Sequence, residues 1–299
     1  MSETTPITVV MPVKNIVCFV SESIESILAQ TFTDFRFIIV DDASTDGTFE
    51  VVQEYAKKDS RIDLFRSPEP GIVNCLNYGV ALNESPFIAR MDGDDIADPT
   101  RFQKQYDFMC EHPDVHVCGS WIRLFGDKEE VWHYREWDEH IKNLMVFKRS
   151  GFGHNAVMFR KEIFDDYRYE REFEFVEDYR LWSKLAADGR YGFHNLREVL
   201  VDYRIHATQV ISTKQDIQNV LRRIILKDFW QDLGIMLTDE EFELLWRIRE
   251  FDISSEELPV AIHFLNKLKA QTSLHFEDKF GVYDEYMDKL RSSVVSHAS

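Results

Sequence analysis

Apolar residues along the first 121 positions alternate between short runs and stripes at helical spacing. Residues 7–11 form a β-prone run that stops at Pro12 and Asn15, both breakers of regular structure. Val20, Ile24, Ile27 and Leu28 then recur at a helical period. Residues 35–40 predict a second strand, and a helix carrying Phe49, Val52, Tyr55 and Ala56 follows a polar run that can cap it. Residues 62–65, 87–91 and 115–121 predict three more strands, separated by helices marked by Ile72, Cys75, Leu76 and Gly79 and by Phe102, Tyr106, Met109 and Cys110. This alternation predicts an α/β fold, a mostly parallel sheet flanked by helices on both faces. In such a sheet, ligands bind at the carboxyl ends of the strands.

The pattern changes after Gly126. Residues 126–155 read as loop with one helix, residues 177–187 as a helix with Leu181, Trp182 and Leu185 on its core face, and residues 198–205 as a returning strand. From Thr213 onward the period is helical throughout. The first helix carries Ile217, Leu221, Ile224 and Ile225, and the last carries Phe276, Phe280, Tyr283, Met287 and Leu290. The chain therefore divides into an α/β part, residues 1–213, that holds the chemistry, and a helical C-terminal region, residues 214–299.

Composition narrows the function. Hydrophobic residues make up 44% of the 299 positions, enough for a packed core. The formal charge of −18 opposes binding to nucleic acid and to anionic lipid through the general surface field, so at most a peripheral membrane contact is expected. No apolar run approaches the roughly 18 residues that span a bilayer, and the polar N-terminus does not read as a secretory signal. Cys18, Cys75, Cys110 and Cys118 show no metal-ligand spacing and read as buried free thiols. The expected compartment is the cytoplasm, with peripheral placement at the inner membrane as an option.

Two acidic clusters fall at predicted strand ends. Asp92-Gly93-Asp94-Asp95 puts three carboxylates within four residues, a density that repels itself unless a cation sits among them. Oxygen ligands suit Mn²⁺ or Mg²⁺, which take further oxygens from substrate phosphates. A solvated acidic turn is the plain alternative. Asp41-Asp42 ends the second strand without the Gly-x-Gly-x-x-Gly turn of a dinucleotide fold, and Gln53 stands where a calcium loop needs glutamate. Glu177-Asp178 opens a helix, where acids complement the dipole, but a carboxylate there can also accept a proton from an attacking hydroxyl. His206 follows the returning strand and can complete a carboxylate metal site.

Val9-Val10-Met11-Pro12-Val13-Lys14-Asn15, Val40-Asp41-Asp42-Ala43-Ser44-Thr45-Asp46-Gly47-Thr48, Ala89-Arg90-Met91-Asp92-Gly93-Asp94-Asp95 and Glu177-Asp178-Tyr179-Arg180-Leu181-Trp182 resemble the ordered motifs of family 2 inverting glycosyltransferases with the GT-A fold. The resemblance implies that Pro12, Val13 and Asp42, with Asn15 and Arg90, hold the nucleoside of a UDP-sugar. It also implies that Asp92 and Gly93 lie at the ribose–diphosphate, that Asp94, with His206 and Asp95, holds the metal, and that Asp178 is the base. Lys14 and Gly93 depart from the family, which more often has an aromatic residue and Ala or Ser there. Gly153-His154-Asn155-Ala156-Val157-Met158-Phe159-Arg160 and Tyr203-Arg204-Ile205-His206-Ala207-Thr208-Gln209-Val210 resemble bacterial lipooligosaccharide transferases that add an N-acetylhexosamine. That likeness puts His154 and Asn155 at the donor or acceptor pocket, where Glu177 is a further candidate, and implies a carbohydrate acceptor, with a lipid-linked one among the options. A nucleotide-sugar-binding module without catalysis and a Mg²⁺-dependent phosphatase or phosphoryl-transfer enzyme are the competing readings.

Overall fold

The computed structural model describes residues 4–147, 150–206 and 214–297. The boundary expected at 213/214 and the motif residues 207–210 lie outside the described residues. The strands are β1 (Ile7–Val13), β2 (Phe35–Asp41), β3 (Ile62–Arg66), β4 (Phe87–Arg90), β5 (Ile96–Ala97), β6 (Val115–Gly126), β7 (Glu130–Trp132), β8 (Met158–Arg160) and β9 (Gly192–Ile205). The helices are α1 (Val20–Leu28), α2 (Thr48–Lys58), α3 (Ile72–Ala81), α4 (Arg101–Glu111), α5 (Asp138–Met145), α6 (Ile163–Asp166), α7 (Glu177–Asp188), α8 (Gln215–Asp232), α9 (Asp239–Arg249), α10 (Leu258–Thr272) and α11 (Val282–His297).

One sheet runs in the order β3-β2-β1-β4-β8-β6-β9-β5, with β7 as a hairpin arm on β6. β1 pairs in parallel with β2 and β4, and β6 with β9, while β8 is inserted antiparallel between β4 and β6. All seven residues of β1 are buried, as expected for a strand covered on both faces. Their alternation splits the core. Val9 and Met11 pack with Ile24, Val52 and Phe102 of α1, α2 and α4. Val10 points the other way, into a cluster that includes Leu76 and Trp182 and continues through Phe229, Leu245, Leu265, Tyr283 and Leu290. The C-terminal helices thus share a core with the sheet. Each such side chain, fully buried, contributes roughly 1.5–3 kcal/mol.

Several elements differ from the sequence expectation. β6 runs on to Gly126, and β9 begins at Gly192, ahead of the expected residue 198. β7 and α5 lie in the stretch read as loop with one helix. Ile217 and Ile224 of α8 are exposed, and the buried face is instead Gln218, Ile225, Leu226, Phe229 and Trp230. Phe276 and Phe280 precede α11, which opens at Val282. Cys18 and Cys110 are exposed, and only Cys75 and Cys118 are buried, although all four are free as expected. Among the described residues no helix is long and apolar enough to cross a membrane.

Candidate active site

The carboxyl ends of β1, β2 and β4 open into one cleft of about 740 Å³. Its first wall is two loops fastened together. Asn15 and Ala43 both take left-handed backbone, φ 50° and 52°, which turns the chain sharply after β1 and after β2. Asn15 Oδ1 accepts from Thr45 N at 2.8 Å, Ile16 N donates to Thr48 Oγ1 at 2.9 Å, and Val17 N donates to Asp46 Oδ2 at 3.0 Å. The polar run 44–48 therefore serves the β1 loop as well as α2. Pro12, Val13, Asn15 and Asp42 all line the cleft. Asp42 is 5% exposed, and its carboxylate accepts from Lys14 Nζ at 2.6 Å and from Gly71 N at 3.1 Å.

The second wall follows β4. Arg90 is buried and ion-paired with Asp92. Burial opposes its charge, yet Asp92 outweighs that and keeps the guanidinium protonated beyond its usual range. Asp92, Asp94 and Asp95 each bring one carboxylate oxygen into a group whose members all lie within 4.8 Å of one another. Burial and then the Asp92 charge push the Asp94 carboxyl up, against His206, whose Nε2 lies 3.0 Å from Asp94 Oδ2. Asp95 is fully buried, with Oδ1 accepting from Arg204 N at 2.8 Å and Oδ2 accepting from Asn155. Asp95 and Asn155 thus stand behind the cleft wall, tying β9 and the 154–156 turn to the acidic loop. Gly93 sits where a Cβ would come within 2.5 Å of Ile16 Cδ1. Ile16 takes up the room that an alanine or serine would need.

The third wall is the start of α7. Glu177 lines the cleft, 6% exposed, and its Oε2 has no hydrogen-bond partner among the described residues. Burial, then the neighbouring Asp178, pushes its carboxyl up to about 8. Burial also raises the Asp178 carboxyl, which makes it a stronger base once ionised. Asp178 and His154 do not line this cleft. His154 Nδ1 is 3.9 Å from Glu177 Oε1 and its Nε2 is 2.9 Å from the Tyr169 hydroxyl, and burial, then Arg90, keeps the ring neutral.

The sequence reading did not single out Gly71, Glu174, Phe175, Tyr203 and Gln218, which also line the cleft. Gly71 has φ 107°, and Glu174 Oε1 accepts from Ile72 N at 3.1 Å, at the N-terminus of α3. Phe175, a non-glycine at φ 79°, has its carbonyl held by Gln218 Nε2 at 3.1 Å. A polar residue interrupting the apolar face of α8 was the available signal for Gln218.

Residues 8–168 match the sequence profile described as Glycosyl transferase family 2. The chain is 34% identical to the O-antigen biosynthesis glycosyltransferase WbnJ of Escherichia coli, over 67% of this chain and 80% of that protein. It is 32% identical to the UDP-Gal:alpha-D-GlcNAc-diphosphoundecaprenol beta-1,3-galactosyltransferase of Escherichia coli, over 68% of this chain and 76% of that protein. Its fold is similar to S. aureus TarS 1-349 in complex with UDP-GlcNAc, with TM-score 0.65, 17% identity, and coverage of 98% of this chain and 91% of that one. A mannosyltransferase from Pyrobaculum calidifontis, solved with GDP-Man and Mn²⁺, gives TM-score 0.60 and 14% identity, covering 99% of this chain and 87% of that one. With the family's profile running through the β1, β2 and β4 loops that build the cleft, the chain belongs to glycosyl transferase family 2 and is a glycosyltransferase of the GT-A fold.

Proposed function

We propose that this glycosyltransferase moves an N-acetylhexosamine from a UDP-sugar to a carbohydrate acceptor of a bacterial surface glycan such as lipooligosaccharide, with inversion and with help from Mn²⁺ or Mg²⁺. One observation carries this reading: Asp42, the Asp92–Asp94 pair with His206, and Glu177 face a single cleft, and Asp178 is the next residue along α7. The α/β part, residues 1–213, is read as the catalytic unit, and residues 214–299 as a helical region that lends Gln218 to the cleft. The working location is the cytoplasm, with peripheral contact at the inner membrane.

In this reading Pro12 and Val13 flank the base, with Asn15 holding their loop in place. Asp42 accepts the uracil N–H once Lys14 has released it. Arg90 orients Asp92 toward the ribose and diphosphate. The donor set fits a divalent cation, because desolvated carboxylates that repel one another are stabilised by a shared positive charge and hard oxygen ligands suit Mn²⁺ or Mg²⁺. Asp94 and His206 would hold it, with Asp95 fixing the loop from behind. The ion would supply positive charge for the departing diphosphate. Asp178 takes the acceptor hydroxyl proton while that oxygen attacks the anomeric carbon, and the bond from that carbon to the diphosphate oxygen breaks with its electron pair leaving on UDP. Inversion follows from attack opposite the leaving group. The N-acetyl preference is supported by the motif from Gly153 to Arg160, and a UDP donor by Asp42 at the end of β2.

A panel of UDP-sugars with Mn²⁺, scored for UDP release, tests the reading. Release from UDP-N-acetylhexosamines, abolished by EDTA, is the expected result. UDP affinity that EDTA leaves unchanged would remove the metal from the proposal, and release from GDP-mannose alone would remove the UDP donor.

A further inference from the structure

The Asp42 carboxylate, which accepts the uracil N–H in the reading above, is already paired with Lys14. We propose that Lys14 is a base-reading residue: it yields Asp42 Oδ2 to the uracil N–H and turns onto a carbonyl beside that N–H. The proposal rests on the reading of Asp42 as the uracil acceptor.

Sheet register sets the two side chains next to each other. Val13 of β1 pairs with Asp41 of β2, and Asp42 N donates to the Val13 carbonyl at 2.9 Å. Lys14 and Asp42 are the next residues on the two chains, and Lys14 Nζ donates to Asp42 Oδ2 at 2.6 Å. Asn15, at φ 50° and accepting from Thr45 N, holds the turn that follows Lys14. Asp42 is the fixed member of the pair: it is 5% exposed, and its Oδ1 accepts from Gly71 N at 3.1 Å. Lys14 is the movable one, with a side chain 56% exposed. Both line the cleft.

The remaining donors of this wall are committed. Gly71 N and Ile72 N serve Asp42 and Glu174, Asn15 N serves Ser44 Oγ, and Ile16 N serves Thr48 Oγ1. Arg90, the other permanent cation lining the cleft, is buried against Asp92. Lys14 has three ammonium protons, and Asp42 takes one of them. In uracil the ring N–H is flanked by a carbonyl on each side. When that N–H settles on Oδ2, a carbonyl therefore falls beside the ammonium whichever way round the base enters. Asp42 as acceptor and Lys14 as donor then meet a donor and an acceptor in matching order. A site built to hydrogen-bond a ligand group rejects the analogue that leaves its polar groups unpaired. Cytosine is such an analogue, because its ring nitrogen turns a lone pair toward Asp42 and one of its two flanking groups is an amino group.

The test titrates full-length wild type, Lys14→Met and Lys14→Arg with UDP, 2-thio-UDP and 4-thio-UDP in the presence of Mn²⁺. Sulfur is a weak acceptor, and the ribose and diphosphate are common to all three ligands, so their affinity ratios isolate the base edge. The expected result is that wild type binds one of the two thio analogues at least fivefold more weakly than UDP. Lys14→Met should bind UDP at least fivefold more weakly than wild type and hold all three ligands within twofold of one another, while Lys14→Arg keeps the wild-type order. Wild type that binds the three alike overturns the proposal. So does Lys14→Met that loses affinity for all three with their ratios preserved, which is what a merely structural prop for Asp42 would give, or that binds UDP as tightly as wild type or tighter, which would make the lysine only a plug. A separate titration with 3-methyl-UDP, which lacks the N–H, checks the underlying reading: affinity equal to that of UDP would refute Asp42 as the uracil acceptor, and the lysine's role with it.

Discussion

Glu177 and Asp178 are adjacent carboxylates about 100° apart around a helix axis, so only one can face a given oxygen. Asp178→Asn nearly preserves shape while removing basicity, and kcat should fall about 10²–10⁴-fold with UDP affinity retained. Glu177→Gln should cost far less in kcat, and steady-state kinetics on both variants with one acceptor decides between them. Glu177 also predicts a pH effect. Its folded carboxyl titrates near 8 against an ordinary 4.5, so its contribution to stability is full at acid pH and is lost as pH rises through about 8. Wild type should therefore lose Tm between pH 6 and pH 9, and Glu177→Gln should lose less, as read by thermal melts in EDTA. The acids of this site were legible in the sequence, because clustered carboxylates at strand ends are conspicuous. Residues whose role depends on burial were not. Nothing in the string distinguishes Asp95, bound by two donors behind the wall, from Asp94 in the cleft.

At the scale of elements, the β1-to-α4 alternation was legible because each strand is a compact apolar run and each helix repeats its buried positions. β5, β7 and β8, two or three residues each, carry no period and were invisible. Their cohesion comes from elsewhere, as α4 illustrates. Arg101, fully buried, donates through Nη2 to the carbonyls of Arg90 and Val157 at 2.7 and 3.1 Å, and through Nε to Gln105 Oε1. Gln105 in turn donates to the carbonyls of Cys118 and Ala156, both at 2.8 Å. This pair ties the end of β4 and the approach to β8 to the body of β6, beside the acidic loop. Arg101→Met should leave those acceptors unsatisfied and cost about 3 kcal/mol or more, since hydrogen bonds to a charged donor are worth roughly 1.5–3 kcal/mol each. Urea denaturation measures it, and a cost below about 1 kcal/mol would mean that the strands hold without the Arg101 hydrogen bonds.

Taken as a whole, the molecule does not separate cleanly into a catalytic part and an appendix. The buried cluster that contains Val10 of β1 also contains Trp182 of α7 and Leu290 of α11. Arg180 and Lys184 of α7 reach Asp228 and Asp232 of α8 at 2.8 and 2.7 Å, and Lys279 reaches Glu139 of α5 at 2.8 Å. The part-exposed pairs of Lys184 and Lys279 add little, on the order of 0–1 kcal/mol each, whereas Arg180 is buried at the α7–α8 seam inside the shared apolar cluster, which supplies most of the cohesion. A chain ending at residue 213 should therefore lack a cooperative melting transition and bind a hydrophobic dye. A sharp transition in that fragment would show that the sheet folds without its helical half.

The acidic cleft mouth has a kinetic consequence as well. A donor bearing a diphosphate must approach a molecule of formal charge −18 through an opening where Lys14 and Arg90 are already paired with Asp42 and Asp92, and Asp94 and Glu174 add further acids. Repulsion of that kind acts during the encounter, before any contact forms, and it is screened over a length of about 8 Å at physiological ionic strength. Most enzymes that capture anions do so faster in dilute buffer. Here the bimolecular rate for UDP, followed by stopped flow, should climb as salt is raised from low concentration, so the protein should capture its donor fastest in a crowded ionic medium.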